Sequence, residues 1–143
     1  MRWRIAHVLG AFPQPKALEE LIRLLDKDPD GYVRYGAIRS LVELASQSDQ
    51  AMRIASALDG RAETIEKQSK IAGELRTCLL MDPKIVAADW LAFVARVVRS
   101  LFIVIDNTTE RDEWRGCLTQ AEELYITSER GSNRMNQAKL HHG

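Results

Sequence analysis

The feature of this sequence that most constrains its fold is a segment that occurs twice. Residues 2–10 (RWRIAHVLG) align without a gap on residues 34–42 (RYGAIRSLV), thirty-two positions further along the chain. Apolar residues recur at helical spacing in both copies, and a second apolar helical pattern lies between them. A helix that recurs at this interval, with another helix between its copies, is typical of an α-solenoid of stacked repeats. The sequence therefore predicts an all-α fold.

Prolines and capping residues divide the chain into about seven predicted helices. Pro13 and Pro15 end the first helix and begin the second, because proline is tolerated only in the first turn of a helix. Asp28 before Pro29 predicts an N-cap for the third helix. The predicted helices cover residues 2–12, 15–27, 29–45, 48–59, 61–81, 84–105 and 108–130.

The third helix carries a more specific pattern. The run Asp28-Pro29-Asp30, then Val33-Arg34, Ala37 and Leu41, resembles the second helix of a HEAT repeat. The short bacterial form of that repeat, also seen in phycobilisome-lyase-like HEAT proteins, is the most similar, and residues 1–45 carry the resemblance best. It implies an α–α superhelix. It also implies that Asp28 and Arg34 tie neighbouring repeats together, as the matching residues tend to do in the family.

The repeat pattern weakens after residue 45. Aligning Leu75 with Leu41 places Ile71 opposite Ala37, but Gln68 falls opposite Arg34. We therefore predict one all-α domain over residues 1–130, with HEAT-like repeats in 1–58 and longer capping helices in 61–130, followed by a flexible tail over 131–143. Because the chain begins in the middle of a repeat, we expect it to be the C-terminal fragment of a larger repeat protein.

Segment 84–105 is apolar enough to raise the question of a membrane span. Its charges after Lys84 are Asp89, Arg96 and Arg99, which share about a quarter of the helix circumference. Charges in the middle of a span are costly, so a helix buried on most sides fits better. The three charges form either its solvent edge or a polar stripe that faces a partner.

Two isolated cysteines, Cys78 and Cys117, match no disulfide framework and no zinc motif. They predict buried thiols in a reducing compartment, and hence a cytoplasmic protein.

The sequence contains no recognisable motif for catalysis, phosphate binding or metal binding. It has no glycine-rich phosphate loop, no nucleophile elbow and no His-Glu-x-x-His pair, and His7 is the one histidine in a predicted helix before residue 131. We expect no catalytic residue, no metal site and no cofactor. Twenty basic residues balance twenty acidic ones, so the chain lacks the positive charge of a nucleic-acid-binding protein.

A binding surface is predicted where equivalent positions of successive second helices line one face of a solenoid. The aligned pairs Trp3 with Tyr35 and His7 with Arg39 combine aromatic and arginine side chains, the composition of interface anchors. Alternatively, Trp3 or Tyr35 packs between repeats. The predicted partner-binding residues are Trp3, Arg4, His7, Tyr35, Arg39 and Glu43.

The leading hypothesis is a non-catalytic scaffold that binds another protein, or that self-associates through the uncovered N-terminal helix. The family resemblance implies one alternative, a phycobilisome-lyase-like subunit that assists bilin attachment or removal. A HEAT-type binder of DNA lesions would need a basic concave face, which the neutral charge balance disfavours.

Overall fold

The structure is a computed structural model. It describes residues 15–47, 49–80 and 88–142, and the side chains of 16–47, 49–80 and 88–130. The described residues form helices and contain no strand, so the all-α prediction is confirmed. Seven helices occur in this part of the chain: α1 Pro15–Lys27, α2 Gly31–Ala45, α3 Ala51–Asp59, α4 Ala62–Lys67, α5 Ser69–Leu80, α6 Ala88–Val104 and α7 Thr108–His142.

Helices α1 and α2 form a hairpin whose turn corrects one prediction. α1 has the predicted bounds, and it buries Leu21 and Leu24 against α2. The N-cap of α2 is Asp30, not Asp28, because the Asp30 side chain accepts the backbone N–H of Tyr32 at 2.9 Å. The Asp28 carboxylate instead accepts the backbone N–H of Asp30, also at 2.9 Å. Two consecutive side-chain bonds therefore set the turn.

The predicted helix over residues 61–81 is in fact two helices. α4 ends at Lys67 and α5 begins at Ser69, because Gln68 leaves the helical region with φ −103° and ψ 88°. α4 packs against α6, whereas α5 packs against α2 and α7, so the chain changes direction at Gln68 to reach both sets of neighbours. The preceding helix, α3, begins at Ala51 and ends at the predicted Asp59, and Ser48, the predicted cap of this helix, lies outside the described residues.

The last two helices are long. α6 ends at Val104, one residue before the predicted end, and its predicted start at 84 lies outside the described residues. The Asn107 side chain accepts the backbone N–H of Glu110 at 3.2 Å at the start of α7. α7 extends to His142, so the predicted helix end near Arg130 was wrong. The first predicted helix, 2–12, lies outside the described residues.

Helices that are not consecutive in the sequence lie side by side in two rows. α2, α5 and α7 lie side by side in that order, and α3 lies beside α6. α1 covers α2, α7 covers α6, and α3 also contacts α2. Buried apolar side chains from all seven described helices form one continuous cluster, which runs from Leu21 in α1 to Ala121 in α7. This order is that of a HEAT-like stack, in which like helices of successive hairpins are neighbours.

α6 is an apolar helix of seventeen residues. Within the described ranges, no helix is both long and apolar enough to cross a bilayer.

Candidate functional site

One edge of α2 presents the described part of the predicted binding surface. Tyr35 and Glu43 are half-buried and Arg39 is exposed, and the three share one side of the helix at spacings of four residues. Trp3, Arg4 and His7, the other predicted members, lie outside the described residues.

Tyr32 was not among the predicted binding residues, yet it has the most exposed aromatic side chain described. Its side chain is 79% exposed in the first turn of α2, three residues before Tyr35. The two rings meet edge to face, with centroids 6.3 Å apart and planes at 74°. The spacing of three residues could have revealed this pair, but Tyr32 has no counterpart in the aligned segment 2–10. Aromatic surface is therefore concentrated at the N-terminal end of α2.

One ion pair connects this edge of α2 to α5, and a second connects α5 to α7. The Arg39 guanidinium lies 3.4 Å from the Glu74 carboxylate of α5. Arg76, on the opposite edge of α5, lies 2.8 Å from Glu113 of α7 and 5.7 Å from the centre of the Trp114 ring. At 100° per residue, Glu74 and Arg76 are 160° apart around α5, so each faces a different neighbour. The outer sides of α2, α5 and α7 thus form one continuous surface.

The outer side of α5 is exposed to solvent between these ion pairs. Lys70 and Thr77 are exposed there, and a methyl group added to Gly73 would meet no atom within 4 Å. Gly116 on α7 is equally open. Glycines on the outside of two neighbouring helices leave room for another backbone to approach this surface.

The two residues predicted to tie repeats together contact each other inside one turn. The Arg34 guanidinium donates from Nη1 to the Asp28 carbonyl oxygen at 2.9 Å. This bond holds the α1–α2 turn, and the role of Asp28 and Arg34 between repeats stays a prediction.

A link between hairpins comes from residues that the sequence analysis did not single out. Arg61, just after α3, donates from Nε and Nη2 to both carboxylate oxygens of Asp26 in α1, at 2.7 Å each. The same hydrogen bond raises the pKa of Arg61. Arg61 also donates from Nη1 to the Ala57 carbonyl at 2.9 Å, which satisfies a free carbonyl at the end of α3. Thirty-five residues separate the pair, so no local signal in the sequence could indicate it.

The charges of α6 lie at its solvent edge. Asp89 and Arg99 are exposed, and Arg96 donates from Nε to Asp59 of α3 at 2.8 Å. The three charges therefore lie at the surface, and whether a partner faces them is not tested by this arrangement.

Both cysteines are buried free thiols. Cys78 and Cys117 are 5% and 1% exposed, and burial is the main cause that raises their thiol pKa values to about 12 and about 11. A nucleophilic cysteine needs a lowered pKa and access, so neither thiol is suited to catalysis. Among the described residues, no three His, Cys, Asp or Glu side chains are grouped closely enough to hold a metal ion.

The raised thiol pKa values predict a loss of stability in alkali. An unfolded thiol ionises near pH 9, whereas the folded thiols stay protonated to about pH 11 or 12, so the stability that they contribute is complete below pH 9. We expect the free energy of unfolding to fall as the pH rises from 9 to 12. Urea titrations from pH 7 to 11 measure this, with the Cys78→Ala and Cys117→Ala double variant as the control. An equally steep fall in that variant would contradict the assignment to the thiols.

A family model matches the N-terminal part of the sequence. Residues 1–67 match the model of HEAT repeats. The segment includes α1 to α4, so the resemblance predicted from residues 1–45 is confirmed and extends further along the chain. No curated protein and no solved structure matches the chain.

The family match also bears on function at a coarse level. HEAT repeats generally mediate protein–protein interactions and are typically not enzymes. The match does not identify the phycobilisome-lyase-like subtype, so that role stays a hypothesis.

Proposed function

We propose that this chain is a non-catalytic scaffold that binds another protein through the outer sides of α2 and α5. We call this surface the α2–α5 face; it consists of Tyr32, Tyr35, Arg39, Glu43, Lys70, Gly73, Glu74 and Thr77. The observation that carries the proposal is Tyr32, a tyrosine that is 79% exposed beside a second tyrosine. Tyrosine and arginine are the residues most enriched among those that dominate binding energy at interfaces.

The charges of the α2–α5 face suit a partner with polar groups. Arg39 and Glu74 lie 3.4 Å apart and Arg39 is 58% exposed, and an exposed pair of this kind stabilises the fold by only about 0–1 kcal/mol. Both groups can therefore exchange this contact for charged groups of a partner at little cost. The alignment of the two copies predicts that Trp3, Arg4 and His7, which lie outside the described residues, belong to the same binding surface.

We further propose that the chain acts in the cytoplasm, since its two thiols are free and buried. The partner is another protein, or a second copy of this chain if the N-terminal helix self-associates. The proposal includes no nucleic acid, because the net charge is zero.

The test compares two variants as affinity baits in extracts of the source cells. The face variant carries Trp3→Ala, Tyr32→Ala and Tyr35→Ala, and the control carries Met52→Ala and Ile126→Ala, two exposed apolar residues outside the face. We expect a protein retained by the wild type and the control to be lost from the face variant. Biolayer interferometry with that purified protein should show at least a tenfold weaker Kd.

Circular dichroism verifies that the face variant keeps its helicity, which is needed because Tyr35 is half-buried against the core, whereas Tyr32 is exposed. Sedimentation velocity of the chain alone measures self-association. Equal retention by all three proteins, with no change in Kd, would contradict the proposal.

A further inference from the structure

Helix α7 enters the core only with its N-terminal part. It has 35 residues, and its buried side chains, those of Trp114, Cys117 and Ala121, all lie within about its first four turns. No described side chain after Ala121 is buried. The remaining residues, 122–142, form a helix of about 32 Å, at 1.5 Å per residue, which we call the α7 extension. The proposed function does not use the α7 extension.

The α7 extension is a poor helix by itself. Gly131 lies in its interior, and its serine and asparagine residues also have low helix propensity. The one side-chain hydrogen bond described in it is internal, and the Tyr125 hydroxyl donates it to the Glu129 carboxylate at 2.6 Å. Most helical stability in proteins comes from the packing of one face against another element. The extension therefore needs a partner to remain helical.

The heptad register of the buried part of α7 continues along the extension. Trp114, Cys117 and Ala121 are spaced by three and four residues, which is the spacing of the a and d positions of a heptad. The a and d positions that follow at this spacing are Leu124, Ser128, Gly131, Met135 and Ala138. None of them is charged, although six of the residues 122–142 carry a formal charge. The register therefore predicts that this side of the extension packs on another helix.

The charges of the α7 extension are segregated by sign. Residues 122–129 contain no basic residue and three acidic ones, Glu122, Glu123 and Glu129. Residues 130–142 contain no acidic residue and three basic ones, Arg130, Arg134 and Lys139. Two such helices in antiparallel orientation place the acidic half of each against the basic half of the other. A parallel pair would place like charges opposite each other, which is costly.

We propose that the α7 extension pairs in antiparallel orientation with the α7 extension of a second copy of this chain. The two-fold axis lies beside residues 128–131, where the acidic half of each helix meets its basic half. Position 124 of one copy is then level with position 135 of the other, which joins a leucine to a methionine. A second copy supplies the complementary charges by symmetry, because the same sequence in the opposite direction has its charges in the reverse order.

Sedimentation equilibrium of the full chain tests the pairing with two charge variants. The basic variant carries Glu122→Lys, Glu123→Lys and Glu129→Lys, and the acidic variant carries Arg130→Glu, Arg134→Glu and Lys139→Glu. We expect the wild type to dimerise, and to do so more weakly at high salt. Each variant alone should dimerise at least about tenfold more weakly, whereas an equimolar mixture of the two should form a heterodimer. Formation of this heterodimer also shows that both variants are folded.

The matched control changes the same number of charges elsewhere. It carries Glu19→Lys, Glu63→Lys and Asp89→Lys, at three exposed carboxylates outside α7. Its dimerisation should equal that of the wild type. The face variant with Trp3→Ala, Tyr32→Ala and Tyr35→Ala should also dimerise like the wild type, so this pairing and the α2–α5 face succeed or fail separately.

Cysteine cross-linking tests the orientation. Gln120 and His141 hold equivalent heptad positions, and antiparallel pairing brings Gln120 of one copy close to His141 of the other. We expect a disulfide-linked dimer when the Gln120→Cys and His141→Cys variants are mixed and mildly oxidised. Neither variant should form it alone, because like positions are then about 30 Å apart along the helices. The native thiols of Cys78 and Cys117 are buried and should not react.

Three results would overturn the proposal. The first is a wild type that stays monomeric up to about 1 mM. The second is self-association that the charge variants leave unchanged, which is the result expected if the chain associates through its N-terminal helix instead. The third is a disulfide-linked dimer of either cysteine variant alone, which would show that the helices are parallel.

Discussion

Replacing Trp114 with alanine is expected to lower the free energy of unfolding by about 3–5 kcal/mol. Trp114 is 1% exposed and lies in the continuous core near the start of α7, with Arg76 of α5 stacked 5.7 Å from its ring. The variant loses the largest fully buried side chain described and leaves a cavity beside α5. Domains of this size are stable by about 5–15 kcal/mol, so the change removes a large share of the total.

Urea denaturation followed by far-UV circular dichroism measures this loss. The matched control is Ile103→Ala, which removes an apolar side chain that is 84% exposed and should change the stability by less than about 0.5 kcal/mol. Equal stabilities for the two variants would show that Trp114 is not part of the core.

The Leu41→Ala change is expected to destabilise the fold by about 2–5 kcal/mol. Leu41 is fully buried in α2, the helix that contacts α1, α3 and α5. A cavity at this position loosens contacts with neighbouring helices on more than one side, and little collapse can fill it. Met52→Ala, at a side chain that is 42% exposed, is the comparison.

Thermal and urea unfolding of the Leu41 variant give the difference in free energy. A loss below about 1 kcal/mol would mean that α2 is not the centre of the stack.

Local signals in the sequence were sufficient for several helices. Pro15 predicted the start of α1, and the predicted bounds 15–27 are those of the helix. In α2, Val33, Ala37 and Leu41, the apolar residues of the HEAT-like pattern, are all buried. These signals act within one turn of a helix, where proline, capping side chains and apolar periodicity work directly. The choice between Asp28 and Asp30 as N-cap failed because both precede the same helix, and only the backbone geometry decides which carboxylate reaches Tyr32.

Features that depend on distant residues were missed. No glycine or proline marks the break at Gln68, which arises because α4 and α5 pack against different helices. α7 continues past Arg130 through a polar segment, where the apolar periodicity used to place its end has faded. The division of the chain into repeats over 1–58 and capping helices over 61–130 stays a prediction.

In the candidate site, too, local signals predicted some residues, whereas contacts between distant residues were missed. Tyr35 and Arg39 followed from the aligned repeats, and the edge of α2 that they share with Glu43 follows from helical spacing alone. Glu74, which pairs with Arg39, and Asp59, which pairs with Arg96, lie thirty-five and thirty-seven residues from their partners. Pairs at such separations follow from the packing of the helices, which no single stretch of sequence encodes.

The central claim is that α2, α5 and α7 lie side by side as like helices of a stack. Nuclear Overhauser spectra of the chain with labelled Ile, Leu and Val methyl groups test it most directly, since helices in contact lie about 8–10 Å apart. We expect cross-peaks between methyl groups of α2 and α5 and between those of α5 and α7. Their absence, together with cross-peaks that join α5 to helices other than α2, α4 and α7, would contradict the stacked arrangement.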